Sequence, residues 1–274
     1  MIVFAHGREY WCDMRRTDRQ ILRHSAVVLT NSHFTLRKMR GVLPEVQAQA
    51  CPLGLPAQVS LREMVVDTAE EPLELQSCDG NHQRLGNRVL LLVGRVDAKE
   101  REKGHYALLE AMPYLRAKFP DLQLVLAGSG DDLKTLSRAV MEKGVGSAVF
   151  VPGYVSREVL QRLYETCYAF VMPSRQEGFG LVYLEAMNYG KPCVGCFDDG
   201  AEEVIVHGQT GLLIRDPNNT NELVTTLRTL LDDPKLAAEM GRRGFERLHR
   251  FYTPAHFRTR LSTHLARLLC QEVP

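Results

Sequence analysis

The sequence predicts an α/β fold, a doubly wound parallel sheet preceded by a partial Rossmann-like N-terminal unit. Three observations carry this. Short apolar runs, most of them rich in Leu, Val and Ile, recur over 88–93, 122–127, 168–172 and 211–214, as in strands buried on both faces. Stretches with helical periodicity separate such runs, and parallel neighbours need a crossover of that kind. Glycine, proline or a capping residue stands at the junctions.

The elements follow in order. A strand is expected over 2–5, a helix over roughly 13–24, a strand over 26–30, and a second helix capped by Asn31 and Ser32. Prolines and glycine end this pattern at 51–56, and the acidic, aperiodic stretch 58–87 reads as an exit loop and interdomain linker. The clearer series then alternates strands over 88–93, 122–127, 149–151, 168–172, 192–196 and 211–214 with helices over 104–119, 131–143, 156–165, 181–189 and 219–231. A turn into a short helix is expected at 200–206, and helical segments at 235–250 and 254–270 close the chain. The expected organisation is a partial domain over 1–60, a linker over 61–87, a ligand-binding domain over 88–250 and a helical tail over 251–274.

Bulk properties narrow the classes. At 274 residues, 45% apolar and 24% charged, the chain suits one large or two modest globular domains. A net charge of +1 argues against a nucleic-acid partner. Arg15, Arg16, Arg19 and Arg23 recur at helical spacing, which suits either a solvated helix face or one laid on an anionic lipid surface. No apolar run reaches the roughly 18–20 residues that span a bilayer, and no secretion signal opens the sequence. The expected location is cytoplasmic, open to peripheral contact at the inner face of the membrane. The seven cysteines, at 12, 51, 78, 167, 193, 196 and 270, are odd in number and scattered, so reduced, buried thiols are expected rather than disulfides. Cys193 and Cys196 form the only close pair, and no second pair or histidine cluster supports a metal site.

In a doubly wound sheet, ligands bind beyond the carboxyl ends of the strands, so the loops after 93, 127, 151 and 172 should meet. The first runs from Gly94 and Arg95 to Lys103, Gly104 and His105. A guanidinium and an ammonium near a helix N-terminus make a diphosphate clamp, or else a surface charge run. The second, Gly128 to Asp132, supplies small residues that permit close approach of a ligand. It lacks the third glycine and the first-turn position of a nicotinamide fingerprint. The last carries Glu177, Gly178, Phe179 and Gly180 into a helix beginning at Leu181, with Glu185 about one turn inside. A carboxylate accepts two hydroxyl hydrogen bonds, and a sugar nucleotide offers hydroxyls at both ends with a diphosphate between. Glu185 sits among apolar neighbours, where a carboxylate needs partners.

These motifs, together with Val151 to Val155, Met172-Pro173-Ser174, Gly190-Lys191-Pro192, Glu202 to Ile205 and Gly208 to Leu213, stand in an order that resembles the nucleotide-binding half of family 4 glycosyltransferases. The likeness covers about 88–232 and implies the GT-B fold. It implies that Arg95 and Lys103 hold the donor diphosphate, with Gly94 and Gly130 beside them. It implies that Glu177 binds the transferred sugar with N–H groups around Gly178, Phe179, Gly180 and Leu181. Glu185 would hold the ribose, and Tyr154 and Val155 would lie near the base. Arg95 and Lys103 stand further apart than in the commonest family pattern, so Lys99 or Arg101 is a candidate to share the role of Lys103.

The resemblance further implies retaining, metal-independent transfer of a sugar from a UDP- or GDP-linked donor, with no cofactor beyond that co-substrate and no metal ligand. No Asp-x-Asp pair is present, and Asp198-Asp199 reads as loop surface or a helix cap. Residues 1–60 resemble only the end of the family's acceptor-side domain, through His6 to Trp11, Val27 to Ser32 and Thr35, and His6 matches a position at the catalytic cleft. The expectation is a truncated chain with a competent donor half. The acceptor is unknown, lipid-linked or glycan. The alternative is a non-catalytic sugar-nucleotide-binding module.

Overall fold

In the computed structural model, the structure describes residues 1–10, 12, 14–63, 72–175 and 177–271. The expected elements at Trp11, Asp13, 64–71, Gln176 and 272–274 lie outside the described residues.

The first unit is a three-stranded parallel sheet of β1 (Ile2–Ala5), β2 (Val27–Thr30) and β3 (Ala48–Ala50), in that spatial order. Helices α1 (Arg16–Arg23) and α2 (His33–Val42) connect the strands. Residues alternate across β2 as a pleated strand requires. Val28 packs with Leu22, Leu36 and Met39 on one face, and Val27 and Leu29 face the other way. Strand β1 has β2 on one side only among the described residues.

A hairpin of β4 (Glu74–Gln76) and β5 (His82–Arg84) follows. This corrects the expectation of a bare linker over 61–87. The hairpin is anchored to the second unit: Leu73 and Leu85 are buried in its core, and the Cys78 N–H donates to Val149 O at 3.0 Å. Three-residue strands, one of them His-Gln-Arg, leave too short a pattern for periodicity to register.

The second unit alternates β6 (Val89–Val93), α3 (His105–Arg116), β7 (Gln123–Ala127), α4 (Leu133–Glu142), β8 (Val149–Gly153), α5 (Arg157–Thr166), β9 (Ala169–Val171), α6 (Leu181–Asn188), β10 (Cys193–Cys196), α7 (Ala201–Val204), β11 (Gly211–Ile214) and α8 (Thr220–Asp232). Its six strands are all parallel, in the order β11-β10-β9-β6-β7-β8. Leu90, Leu91, Leu92, Val125 and Phe170 are essentially inaccessible, as helices on both faces demand. Pro152, which cannot donate to a ladder, sits in edge strand β8. The strand order reverses between β6 and β9, which opens a crevice at their carboxyl ends.

Helix α9 (Pro234–Phe251) starts at Pro234, with Asp233 accepting from the Leu236 N–H. Helix α10 (Pro254–Gln271) is no free tail. It crosses back to the first unit, where Phe257, Leu261 and Leu268 cover Val27, Leu29 and Cys51, and Arg260 donates to the carbonyls of Pro52 and Leu53 at 2.9 Å each. Among the described residues no helix is long and apolar enough to cross a membrane. Cys51, Cys167, Cys193 and Cys196 are buried as expected, but Cys12 and Cys270 lie at the surface because each stands outside an apolar strand or core helix face.

Candidate functional site

The loop after β6 delivers two cations. Lys103 ends a 3-10 turn, Arg101–Lys103, just before α3. Its ammonium lies 3.3 Å from Glu177 Oε2 and 3.8 Å from Glu100 Oε2, with the Lys103 and Glu177 side chains only 22% and 23% exposed. Arg95 is exposed, hydrogen-bonds Glu100 and stands 3.6 Å from Asp97. Arg101 is committed elsewhere: Nε and Nη2 donate to Asp132 at 2.9 and 2.8 Å, and Tyr106 O–H donates to the same carboxylate at 2.7 Å. The Arg101 guanidinium thereby holds the Asp132 carboxyl below its usual range. This corrects the expectation that Arg101 shares the work of Lys103. Lys99 stays at the surface.

The glycine loop after β7 forms the floor. A Cβ at Gly128 would stand 1.8 Å from Gly94 O, and one at Gly130 would stand 2.1 Å from Val96 O. The close approach these glycines permit is that of the neighbouring loop, rather than of a ligand directly. His105, at the start of α3, is 2% exposed. Burial and the nearby Lys103 charge lower its pKa to about 4, against the opposing Gly94 carbonyl. Its Nε2 has no partner among the described residues.

The loop before α6 brings the acidic groups. Gly180, at φ +86°, takes the left-handed conformation glycine favours and begins α6 without a side-chain cap. The first N–H groups of α6 are therefore uncapped and favour an anion. Phe179 is 1% exposed and packs edge-on against Tyr252, so only its backbone serves the cleft. Leu181 is half-buried. Asp199 holds the loop from behind: Oδ2 accepts from the Glu177 N–H at 3.1 Å and Oδ1 from the Ala201 N–H at 3.2 Å. Burial raises the Asp199 pKa to about 7 even against these donors, with the Glu177 charge adding to the rise. Asp199 thus braces this loop against the first N–H of α7, whose N-cap is Gly200, while exposed Asp198 is the loop surface.

Deeper in α6, Glu185 accepts from Tyr164 O–H at 2.8 Å. Burial pushes its carboxyl up despite that bond. Tyr154 is 82% exposed at the end of β8, and Val155 packs against the core beside it. From the first unit comes His6, exposed at the end of β1, its ring stacked on Phe4 with centroids 5.6 Å apart. Its carbonyl accepts from Asn31 Nδ2 at 2.5 Å, and a Cβ on Gly178 would lie 2.2 Å from that same carbonyl.

Lys103, Glu177, Gly178 and His6 therefore meet at one cleft between the two units. Arg95 turns toward Glu100, and Tyr154 stands just past β8, the third strand from β9. Sequence reasoning gave no site role to Asp199, Ser32 or Thr35. A buried aspartate looks like any other in sequence, and a helix cap gives no sign of a second partner.

Residues 80–247 match the family described as Glycosyl transferases group 1. The chain belongs to that family. Among curated members, it is 36% identical over 146 residues to a GDP-mannose-dependent alpha-(1-6)-phosphatidylinositol monomannoside mannosyltransferase of Mycolicibacterium smegmatis, a match covering 51% of this chain and 38% of the relative. The chain spans well under two thirds of the curated relatives it first matches, 38% to 44% of their lengths. Two solved structures share the GT-B fold. Sucrose-phosphate synthase from Thermosynechococcus elongatus superposes with a TM-score of 0.79 at 23% identity, covering 99% of this chain and 68% of that one. Anabaena Alr3699/HepE in complex with UDP and glucose gives 0.77 at 18% identity, covering 96% and 71%. The matched span holds the loops after β6, β7 and β8 and the loop before α6, but not His6; it begins inside the hairpin at residue 80, so part of the expected linker falls within the match.

Proposed function

We propose that the chain is a retaining, metal-independent family 4 glycosyltransferase that takes a sugar from a UDP- or GDP-linked donor to an acceptor hydroxyl, with no cofactor. The observation that carries this is the pairing of Lys103 with Glu177 at the uncapped start of α6. A diphosphate entering there meets an ammonium and bare N–H groups. On leaving, it gains charge that Lys103 and Arg95 stabilise, the task a metal performs elsewhere. Glu177, released from Lys103 by the incoming phosphate, accepts from sugar hydroxyls beside the Phe179 and Gly180 N–H groups. Glu185, already bonded to Tyr164, takes the ribose hydroxyls, and Tyr154 and Val155 flank the base. His6 faces the sugar from the first unit.

The acceptor is proposed to be lipid-linked or a glycan, with the protein cytoplasmic and peripheral at the inner face of the membrane. Arg15, Arg16 and Arg19 are exposed, as is Ile21 at 47%, while Arg23 is half engaged with Glu45 at 2.6 Å. A second reading, a sugar-nucleotide-binding module without transfer, is favoured by the three-stranded first sheet.

A panel of UDP- and GDP-sugars separates the two. Ligand binding to the native state raises its apparent stability, so a thermal shift identifies the donor. Turnover with that donor in excess chelator, and the anomeric configuration of the product by NMR, then test transfer. Shift with turnover, unaffected by chelator and with the anomer kept, supports the proposal. Shift without turnover for any acceptor leaves the binding module.

A further inference from the structure

The loop that carries Glu177 is held from the first unit as well as from its own. Ser32 and Thr35, at the start of α2, are both fully buried. The Ser32 hydroxyl donates to Gly178 O at 2.5 Å, and the Thr35 hydroxyl donates to the same oxygen at 3.2 Å. A carbonyl has two lone pairs, and both are taken here by hydroxyls from far back in the chain. Ser32 Oγ also accepts from the Thr35 N–H at 2.9 Å, which caps α2. Capping requires only an acceptor; the bond to Gly178 is a second use of that hydroxyl.

The surroundings leave the loop no slack. A Cβ on Gly178 would stand 3.0 Å from Asn31 Nδ2 as well as striking His6 O, and one on Gly200 would lie 2.5 Å from Glu177 O, Gly178 C and Phe179 N. The peptide between Gly178 and Phe179 is thus gripped from both sides. Because a trans peptide is planar, fixing its carbonyl fixes the opposed Phe179 N–H, and it restrains Glu177 one residue back, whose own carbonyl accepts from the Gly200 N–H at 2.9 Å.

We propose that Ser32 and Thr35 are positioning residues for sugar recognition: their paired hydroxyls, through the Gly178 carbonyl, set Glu177 and the Phe179 N–H for the sugar while leaving nucleotide recognition to the second unit. This rests on the functional reading above. It makes the sugar end of the site, and not the nucleotide end, sense whether the first unit is seated.

The test is calorimetric titration of the 274-residue chain with a sugar nucleotide and with its bare nucleoside diphosphate. Thr35→Val keeps the shape and removes one donor. Ser32→Asp keeps the cap and removes the other, and Ser32→Thr keeps both functions. Thr35→Val and Ser32→Asp are expected to lose about tenfold in affinity for the sugar nucleotide, the worth of one good hydrogen bond, with nucleoside diphosphate affinity within about twofold. Ser32→Thr should match the parent. Should Ser32→Asp fail to fold, Thr35→Val decides alone. Equal losses for both ligands, or no loss for either, overturn the proposal. A parent chain that binds neither ligand overturns the functional reading and this inference with it. A parent that binds both with a variant that behaves like it overturns this inference only.

Discussion

Lys103 and Glu177, 74 positions apart in sequence, face each other at 3.3 Å across the cleft. Each is partly shielded, so their mutual attraction contributes at most about 1 kcal/mol to stability. Their value lies in what displaces the pair. Lys103→Met is expected to weaken nucleoside diphosphate binding by about 10- to 100-fold, roughly 1.5–3 kcal/mol for a charge-assisted contact, while its urea midpoint barely moves. Glu177→Ala should lower turnover far more than stability. A large fall in midpoint for either variant would assign the pair to the scaffold instead.

Arg101 lies two positions away and should behave in the opposite manner. Arg101→Ala leaves the Asp132 carboxylate, whose side chain is 4% exposed, with the Tyr106 and Thr135 hydroxyls but no paired charge. The expected result is a lower urea midpoint than the parent's, with diphosphate affinity unchanged. A fall in affinity equal to that of Lys103→Met would restore Arg101 to the phosphate clamp.

Asp199 predicts a pH signature. Its pKa is raised from 3.8 to about 7 by burial, so between those values the folded state holds a proton that the unfolded chain has released. Stability contributed by this group is full below pH 4, falls as pH rises to about 7, and is flat above. The total change is on the order of a few kcal/mol. Asp199→Asn should lack that slope, so urea midpoints from pH 4.5 to 8 should decline less steeply in the variant than in the parent. Parallel curves would show that the carboxyl is ionised throughout.

Glu185 carries the same sign through desolvation. Glu185→Gln keeps an acceptor for Tyr164 and removes a buried charge, so stability near pH 7.5 should hold or rise. Affinity for a nucleoside monophosphate should fall about tenfold if the ribose is held there. Calorimetry with that ligand decides; unchanged affinity would free Glu185 from the ribose.

The second unit was legible because its strands are continuous apolar runs such as Leu90 to Val93, a pattern that survives without tertiary context. The two carboxylates stood out for a different reason, as chemistry concentrated in nine residues, Glu177 in a glycine-bearing loop and Glu185 in the helix after it. The hairpin at 74–84 was not, since Leu75 is its one strand residue with an apolar side chain. The fate of 254–271 was half legible: Phe257, Leu261 and Leu268 announce a helix with an apolar face, but nothing in their spacing says that β2 of another unit lies under it. Arg101 and Lys103 look alike in sequence. Only the fold brings Asp132 against one and Glu177 against the other.

The central claim is that the loops around Lys103, Glu177 and Glu185 form one sugar-nucleotide site. Its most direct test is calorimetric titration of the parent chain and of the Lys103→Met, Glu185→Gln double variant with the donor found by the panel. The account predicts one site per chain in the parent and no measurable heat in the double variant. Binding of equal affinity and stoichiometry in both would contradict it.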